Sequence, residues 1–153
     1  MSSAKATDGP VILVIDDDAG IANALRQVLE LNGARCVLGT SCRDALEIIA
    51  DAEFLSLSIH GVLADVRLPD GLGYKVIDVF RQRCPDVPVA VMTAYADDDL
   101  QLWLRERDVP FLQKPLPMKR LLEWLEAAKA YAGRHPTPAA EEEGSWRLQL
   151  NAG

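Results

Sequence analysis

A doubly wound α/β domain with a five-stranded parallel sheet and five helices is what the sequence predicts, on three observations. Short apolar, β-branched runs alternate five times with stretches of helical periodicity. The connections between them are short, as parallel strands with right-handed helical crossovers require. Polar residues gather just after the strands, where an open parallel sheet places its site.

Val11-Ile12-Leu13-Val14-Ile15 is a continuous apolar run, suited to a strand buried on both faces. It stops at Asp16-Asp17-Asp18. Asp18 is placed to cap the following helix, whose dipole favours carboxylates at its start. In that helix Ile21, Leu25, Val28 and Leu29 share one face, and Asn32-Gly33 ends it. A second strand covers Ala34 to Gly39. Thr40 or Ser41 caps a second helix with the stripe Ala45, Leu46, Ile48 and Ile49, and Asp51 to Ser58 reads as a helix end plus loop.

His60 to Ala64 is the third strand, and it delivers Asp65 to its end before a Pro69-Asp70-Gly71 turn. A third helix turns Val76, Ile77 and Phe80 inward, and Pro85 and Pro88 bound the next connection. Val89 to Met92 is the fourth strand, ending at Thr93. Asp97-Asp98-Asp99 opens a short fourth helix with Leu100, Trp103 and Leu104. Val109 to Gln113 is the fifth strand, ending at Lys114-Pro115. The fifth helix carries Met118, Leu121, Leu122, Leu125 and Ala128, and Gly133 closes it.

This divides the chain into a flexible N-terminal tail (1–10), a folded domain (11–132) and a linker or tail (133–153). The last part holds His135-Pro136-Thr137-Pro138, the Glu141 to Glu143 run, and an alternating Trp146-Arg147-Leu148-Gln149-Leu150. A chain of 153 residues fits one ordinary domain with a little to spare. Its formal net charge of −7 argues against direct nucleic-acid binding, which needs clustered Lys and Arg. Cys36, Cys42 and Cys84 form no Cys-x-x-Cys pair and read as reduced thiols. No signal-peptide pattern and no membrane-length apolar run is seen. The expected location is the cytoplasm.

The topology would bring Asp16, Asp17 and Asp65 close together. At about 4 Å and an effective dielectric near 20, each like-charge contact costs roughly 4 kcal/mol. Such a cluster either holds protons or recruits a cation. All-oxygen ligands select a hard ion, Mg2+ above others. A carboxylate beside that ion is a competent nucleophile for phosphorus, with Lys114 and Thr93 placed to take up the charge of the transferred group.

At Val14-Ile15-Asp16-Asp17-Asp18, Leu63-Ala64-Asp65-Val66-Arg67-Leu68-Pro69-Asp70-Gly71, Val91-Met92-Thr93-Ala94-Tyr95 and Phe111-Leu112-Gln113-Lys114-Pro115-Leu116, the chain resembles the CheY-like receiver domain of bacterial two-component response regulators. The likeness runs from about Val11 to Ala132. It implies a flavodoxin-like strand order 2-1-3-4-5. It implies Asp65 as the phosphorylated aspartate and Asp17 as a direct Mg2+ ligand, with Asp16 acting through water and the Arg67 backbone carbonyl completing the protein ligands. It implies Thr93 as the switch hydroxyl, Lys114 as the phosphate-contacting lysine, a cis Lys114-Pro115 bond, and Phe111 as the aromatic that repacks. Arg67 and Tyr95 depart from the commoner residues and are expected to tune phosphoryl lifetime, Arg67 by slowing hydrolysis.

The function this implies is a phosphorylation-dependent signalling switch. A histidine kinase or phosphotransfer protein is the donor, and a downstream effector or output domain is the receiver of the signal. A homodimer through the fourth helix, fifth strand and fifth helix is a further expected partner. The only catalysis expected is acceptance and loss of the chain's own phosphoryl group. Two other readings compete. A phosphorylation-independent interaction module would not need the intact acidic set. A haloacid-dehalogenase-type phosphatase would use Asp16-x-Asp18 as its nucleophile motif, but it leaves Asp65 unexplained and wants its second acidic pair after the lysine. Trp103 and Trp124 read as packing or surface aromatics, with an interface role as the alternative. His60 and His135 read as isolated. The Trp146 to Leu150 segment resembles the opening strand of the output half of OmpR-type winged-helix regulators, so the chain is either a stand-alone receiver or part of a longer regulator.

Overall fold

The computed structural model describes residues 9–135. The tail before Gly9, the linker beyond His135 and the Trp146 to Leu150 segment lie outside the described residues. In chain order the elements are β1 (Val11–Ile15), α1 (Ala19–Leu31), β2 (Arg35–Gly39), α2 (Cys42–Phe54), β3 (Gly61–Asp65), β4 (Arg67–Leu68), β5 (Gly71–Leu72), α3 (Gly73–Arg83), β6 (Val89–Thr93), α4 (Asp98–Arg107), β7 (Phe111–Gln113) and α5 (Met118–Arg134).

The main sheet has the order β2-β1-β3-β6-β7, and every pairing in it is parallel. Counted among its own five strands this is the expected 2-1-3-4-5 order. β4 and β5 form a separate antiparallel pair across the Pro69-Asp70 turn, a small hairpin that the turn signal alone did not announce.

The period of two in β1 divides the core. Val11, Leu13 and Ile15 face α2, α3 and α4, packing with Ile48, Ile77, Phe80, Leu100 and Trp103. Ile12 and Val14 face α1 and α5, packing with Leu25, Leu29, Leu121, Trp124 and Leu125. Trp103 and Trp124 are therefore buried packing residues. The helical stripes are narrower than their periodicity suggested. Ile21, Leu46 and Met118, expected in the core, are exposed. Each lies at the edge of its stripe, where the next turn rotates the side chain off the sheet. Ile21 and Met118 instead line an apolar groove of about 280 Å³ between α1 and the start of α5, next to Lys114 and Pro115.

The caps explain the boundaries. Asp18 accepts the Ile21 N–H at 3.1 Å, and Ser41 rather than Thr40 caps α2 by accepting the Asp44 N–H at 3.0 Å. Gly33, at φ +98°, lets the chain turn back after α1. α5 runs one residue past Gly133.

His60 and His135 are not isolated. The buried His60 accepts the Val11 N–H on Nδ1 at 2.9 Å, so Nε2 carries the proton and donates to the His135 carbonyl at 2.6 Å. The His135 ring stacks on Tyr131 with centroids 4.0 Å apart. Burial holds the His60 pKa below its ordinary value, consistent with this neutral tautomer.

Candidate functional site

Four strand ends converge. β1 and β3 are paired with Ile15 opposite Ala64, so the residues that follow them, Asp16 and Asp65, emerge side by side. β6 pairs with β7 so that Thr93 lies opposite Gln113, which sets Lys114 just beyond. The Lys114-Pro115 peptide is cis, as the resemblance implied.

Lys114 Nζ reaches Asp16 Oδ2 at 3.0 Å and Asp65 Oδ2 at 3.2 Å. The Asp16 side chain is 0% exposed, that of Asp65 13% and that of Lys114 17%. The other Asp16 oxygen accepts the Asp18 N–H at 2.9 Å, so this buried carboxylate is satisfied on both oxygens. Asp17 is exposed, yet Asp16, Asp17 and Asp65 each offer a carboxylate oxygen, all within 4.8 Å of one another. The expected acidic cluster is thus assembled.

Burial pushes the Asp65 carboxyl above its ordinary pKa; Asp16 adds to this and Lys114 opposes it. For Lys114 the largest single influence is burial, which lowers it. The hydrogen bond and charge of Asp16 together with the charge of Asp65 outweigh that and hold the ammonium above its usual value. The lysine is a fixed cation, and Asp65 is a carboxylate that lacks full compensation.

Thr93 is buried at the rim. Its hydroxyl turns into its own loop, donating to the Tyr95 carbonyl at 3.3 Å and accepting the Tyr95 N–H at 3.4 Å. Both contacts are long for a hydroxyl. Tyr95 itself is 70% exposed. Phe111 is partly buried against the core on the α2, α3 and α4 side. Arg67 does not lie free beside Asp65. Its guanidinium pairs with Asp97 at 2.8 Å.

Three residues of the site's frame hold contacts that local sequence signals do not reveal. Gly73 opens α3 so close to Asp65 that an added Cβ would lie 1.9 Å from the Asp65 carbonyl oxygen. A glycine at the first helical position after Gly71-Leu72 was the available clue. Asp70 accepts the Cys42 N–H at 2.8 Å and the Arg43 N–H at 2.9 Å. It anchors the β4–β5 turn to the start of α2, a contact across 28 residues with no local signature. These amides, Arg43's first, hold the Asp70 carboxyl below the usual range. Asp97 opens α4, accepting the Leu100 N–H on one oxygen, and its second oxygen serves Arg67.

The chain as a whole is similar to a known family. Residues 12–126 match the response regulator receiver domain. The chain is 35% identical over 135 residues to the response regulator protein PilR of Pseudomonas aeruginosa, covering 85% of this chain and 27% of that protein. It is 32% identical over 139 residues to the response regulator protein FleR of the same organism, covering 90% and 28%. The chain thus spans about a quarter of the length of these relatives. Among solved structures, a CheY-like receiver domain protein from Methanospirillum hungatei superposes with a TM-score of 0.71 at 21% identity, covering 82% of this chain and 98% of that one. The non-phosphorylated HemR receiver domain from Leptospira biflexa does so at 0.62 and 29% identity, covering 79% and 94%. The chain belongs to the response regulator receiver domain family.

Proposed function

We propose that the domain is a switch controlled by phosphorylation of Asp65, with a histidine kinase or phosphotransfer protein as donor and the cytoplasm as its place of action. The observation that carries this is the geometry around Lys114. One ammonium bridges a buried, satisfied carboxylate, Asp16, and a less compensated one, Asp65. Asp16 fixes the lysine. Asp65 is left with an oxygen to commit elsewhere.

Asp16, Asp17 and Asp65, with the Arg67 carbonyl, would hold Mg2+, and the all-oxygen donor set suits that ion. Bound there, the ion supplies positive charge against the acidic cluster and the incoming phosphoryl oxygens. An Asp65 oxygen bonds to phosphorus as the bond to the donor's leaving group breaks. Lys114 need not travel, because it already touches Asp65 and can donate to a phosphoryl oxygen. Thr93 exchanges its two long contacts to Tyr95 for the new anion. Phe111 follows into the space beneath, and the face made by α4, β7 and α5 changes. We assign that face to the output partner or a second copy. The apolar groove between α1 and α5 opens beside Lys114 and suits the approach of a donor.

The test is incubation of the chain with Mg2+ and acetyl phosphate, read by intact mass. A single phosphoryl adduct is expected on the wild type and none on Asp65→Asn. An adduct that persists in Asp65→Asn would refute the assignment, and one that is also lost in Asp16→Asn would favour the phosphatase-like reading.

A further inference from the structure

Arg67 lies two residues past Asp65, on β4 at the mouth of the site. Its guanidinium is held by Asp97 Oδ2 at 2.8 Å, while Asp97 Oδ1 accepts the Leu100 N–H at 2.9 Å and caps α4. One carboxylate therefore ties the segment after Asp65 to the start of a helix on the face assigned to the output partner. The Leu100 amide first, and then Arg67, hold the Asp97 carboxyl below the usual range, so it stays ionised at neutral pH.

The pair is 62% and 36% exposed, which makes it weak and readily exchanged. A phosphoryl group carries about −1.5 to −2 of charge and three acceptor oxygens, against the single charge of Asp97. A guanidinium can meet such a group with two parallel donors. The backbone link of two residues keeps the Arg67 side chain rooted near Asp65 while its guanidinium is held on Asp97.

We propose that Asp97 is a positioning residue for the phosphoryl group: it holds Arg67 aside at rest, competes for it after phosphorylation, and so sets the lifetime of the acyl phosphate. This rests on Asp65 as the acceptor. Hydrolysis needs a water oxygen to bond to phosphorus as the bond from phosphorus to the Asp65 oxygen breaks. Asp65 leaves as a carboxylate, and the proton shed by the water goes to solvent. Arg67 on the phosphoryl oxygens shields that approach. Arg67 on Asp97 does not. The exchange also removes from the α4 cap its link to the segment following Asp65.

The test is the half-life of the Asp65 phosphoryl adduct, followed by intact mass in Mg2+ after removal of acetyl phosphate. Asp97→Asn keeps a capping oxygen but drops the charge, and it should lengthen the half-life by about two- to fivefold, the range a surface ion pair of this kind commands. Arg67→Ala should shorten it, and Arg67→Lys should recover part of the loss. The double variant Arg67→Ala with Asp97→Asn should match Arg67→Ala alone, because no guanidinium remains to be released. A merely structural Asp97 would instead change the half-life by the same factor in both backgrounds, and that result overturns the proposal, as does an unchanged half-life in Asp97→Asn. If the wild type takes no adduct, the assignment of Asp65 falls and this proposal with it. An adduct that forms but ignores Asp97 overturns the proposal alone.

Discussion

Replacing Gly73 by alanine puts a methyl group where the backbone of Asp65 already is. The Cβ would lie 1.9 Å from the Asp65 carbonyl oxygen and 3.1 Å from its carbonyl carbon. Relief to ordinary contact at 3.4 Å needs about 1.5 Å of movement, the kind of core overpacking that costs about 1–3 kcal/mol. The obstacle is backbone on both sides. The Gly73 N–H donates to the Val66 carbonyl at 2.8 Å, and the Val66 N–H donates to the Met92 carbonyl at 3.0 Å, so neither peptide yields without losing a bond. Against this stands the gain of about 0.5–1 kcal/mol that alanine brings to a helix. We expect a net loss of about 1–2 kcal/mol in urea unfolding. A misplacement of about 1 Å at a reacting group can cost on the order of a hundredfold in rate, so labelling by acetyl phosphate should slow far more than stability alone would dictate. Gly133→Ala is the control, since nothing lies within 4 Å of its added Cβ. Wild-type stability together with wild-type labelling in Gly73→Ala would refute the close-contact reasoning.

Two further outcomes follow from the electrostatics. Because the folded Asp65 carboxyl has its pKa raised, chiefly by burial, the folded state holds its proton to higher pH than the unfolded chain does. Its contribution to stability therefore falls as pH rises from the ordinary carboxylate value through the raised one. Asp65→Asn should be more stable than wild type at neutral pH in metal-free buffer. That advantage should vanish below about pH 3.8, the ordinary value; a variant less stable at pH 7 would contradict the sign. Lys114→Met leaves Asp16, whose side chain is 0% exposed, without its cation, and should cost about 3 kcal/mol in metal-free denaturation. Mg2+ should recover part of that loss, and full wild-type stability without it would show that Asp16 does not depend on the lysine.

The sheet was legible because its strands are buried on both faces and read as unbroken apolar runs, with Val11 to Ile15 the clearest case. The acidic cluster was legible because Asp16 follows the first of these runs and Asp65 closes another. What escaped was set by distance along the chain. Asp70 caps a helix that begins 28 residues earlier, and His60 bonds to a carbonyl 75 residues away; no local pattern encodes either. Stripe edges escaped for another reason. Ile21, Leu46 and Met118 satisfy the helical period, but the period does not say how wide a strip the flat sheet can cover. The carboxylate that holds Arg67, Asp97, sits 30 residues on, so their pairing left no local trace.

The histidine contact at the far side of the sheet bears on how a signal leaves the domain. β3 has five residues, so about 16 Å separates its entrance from Asp65. His60, at that entrance, grips the last turn of α5. α5 begins near Lys114 and ends at His60's carbonyl partner, a span of 17 residues or about 25 Å. It is a strut running from the chemical pole to the opposite one, pinned at its foot by a neutral imidazole. A small tilt at the top of such a strut reaches its foot as a change of direction, and the chain beyond His135 departs from that foot. Under the proposed phosphorylation of Asp65, that foot is where the event would be felt although no phosphoryl oxygen approaches it.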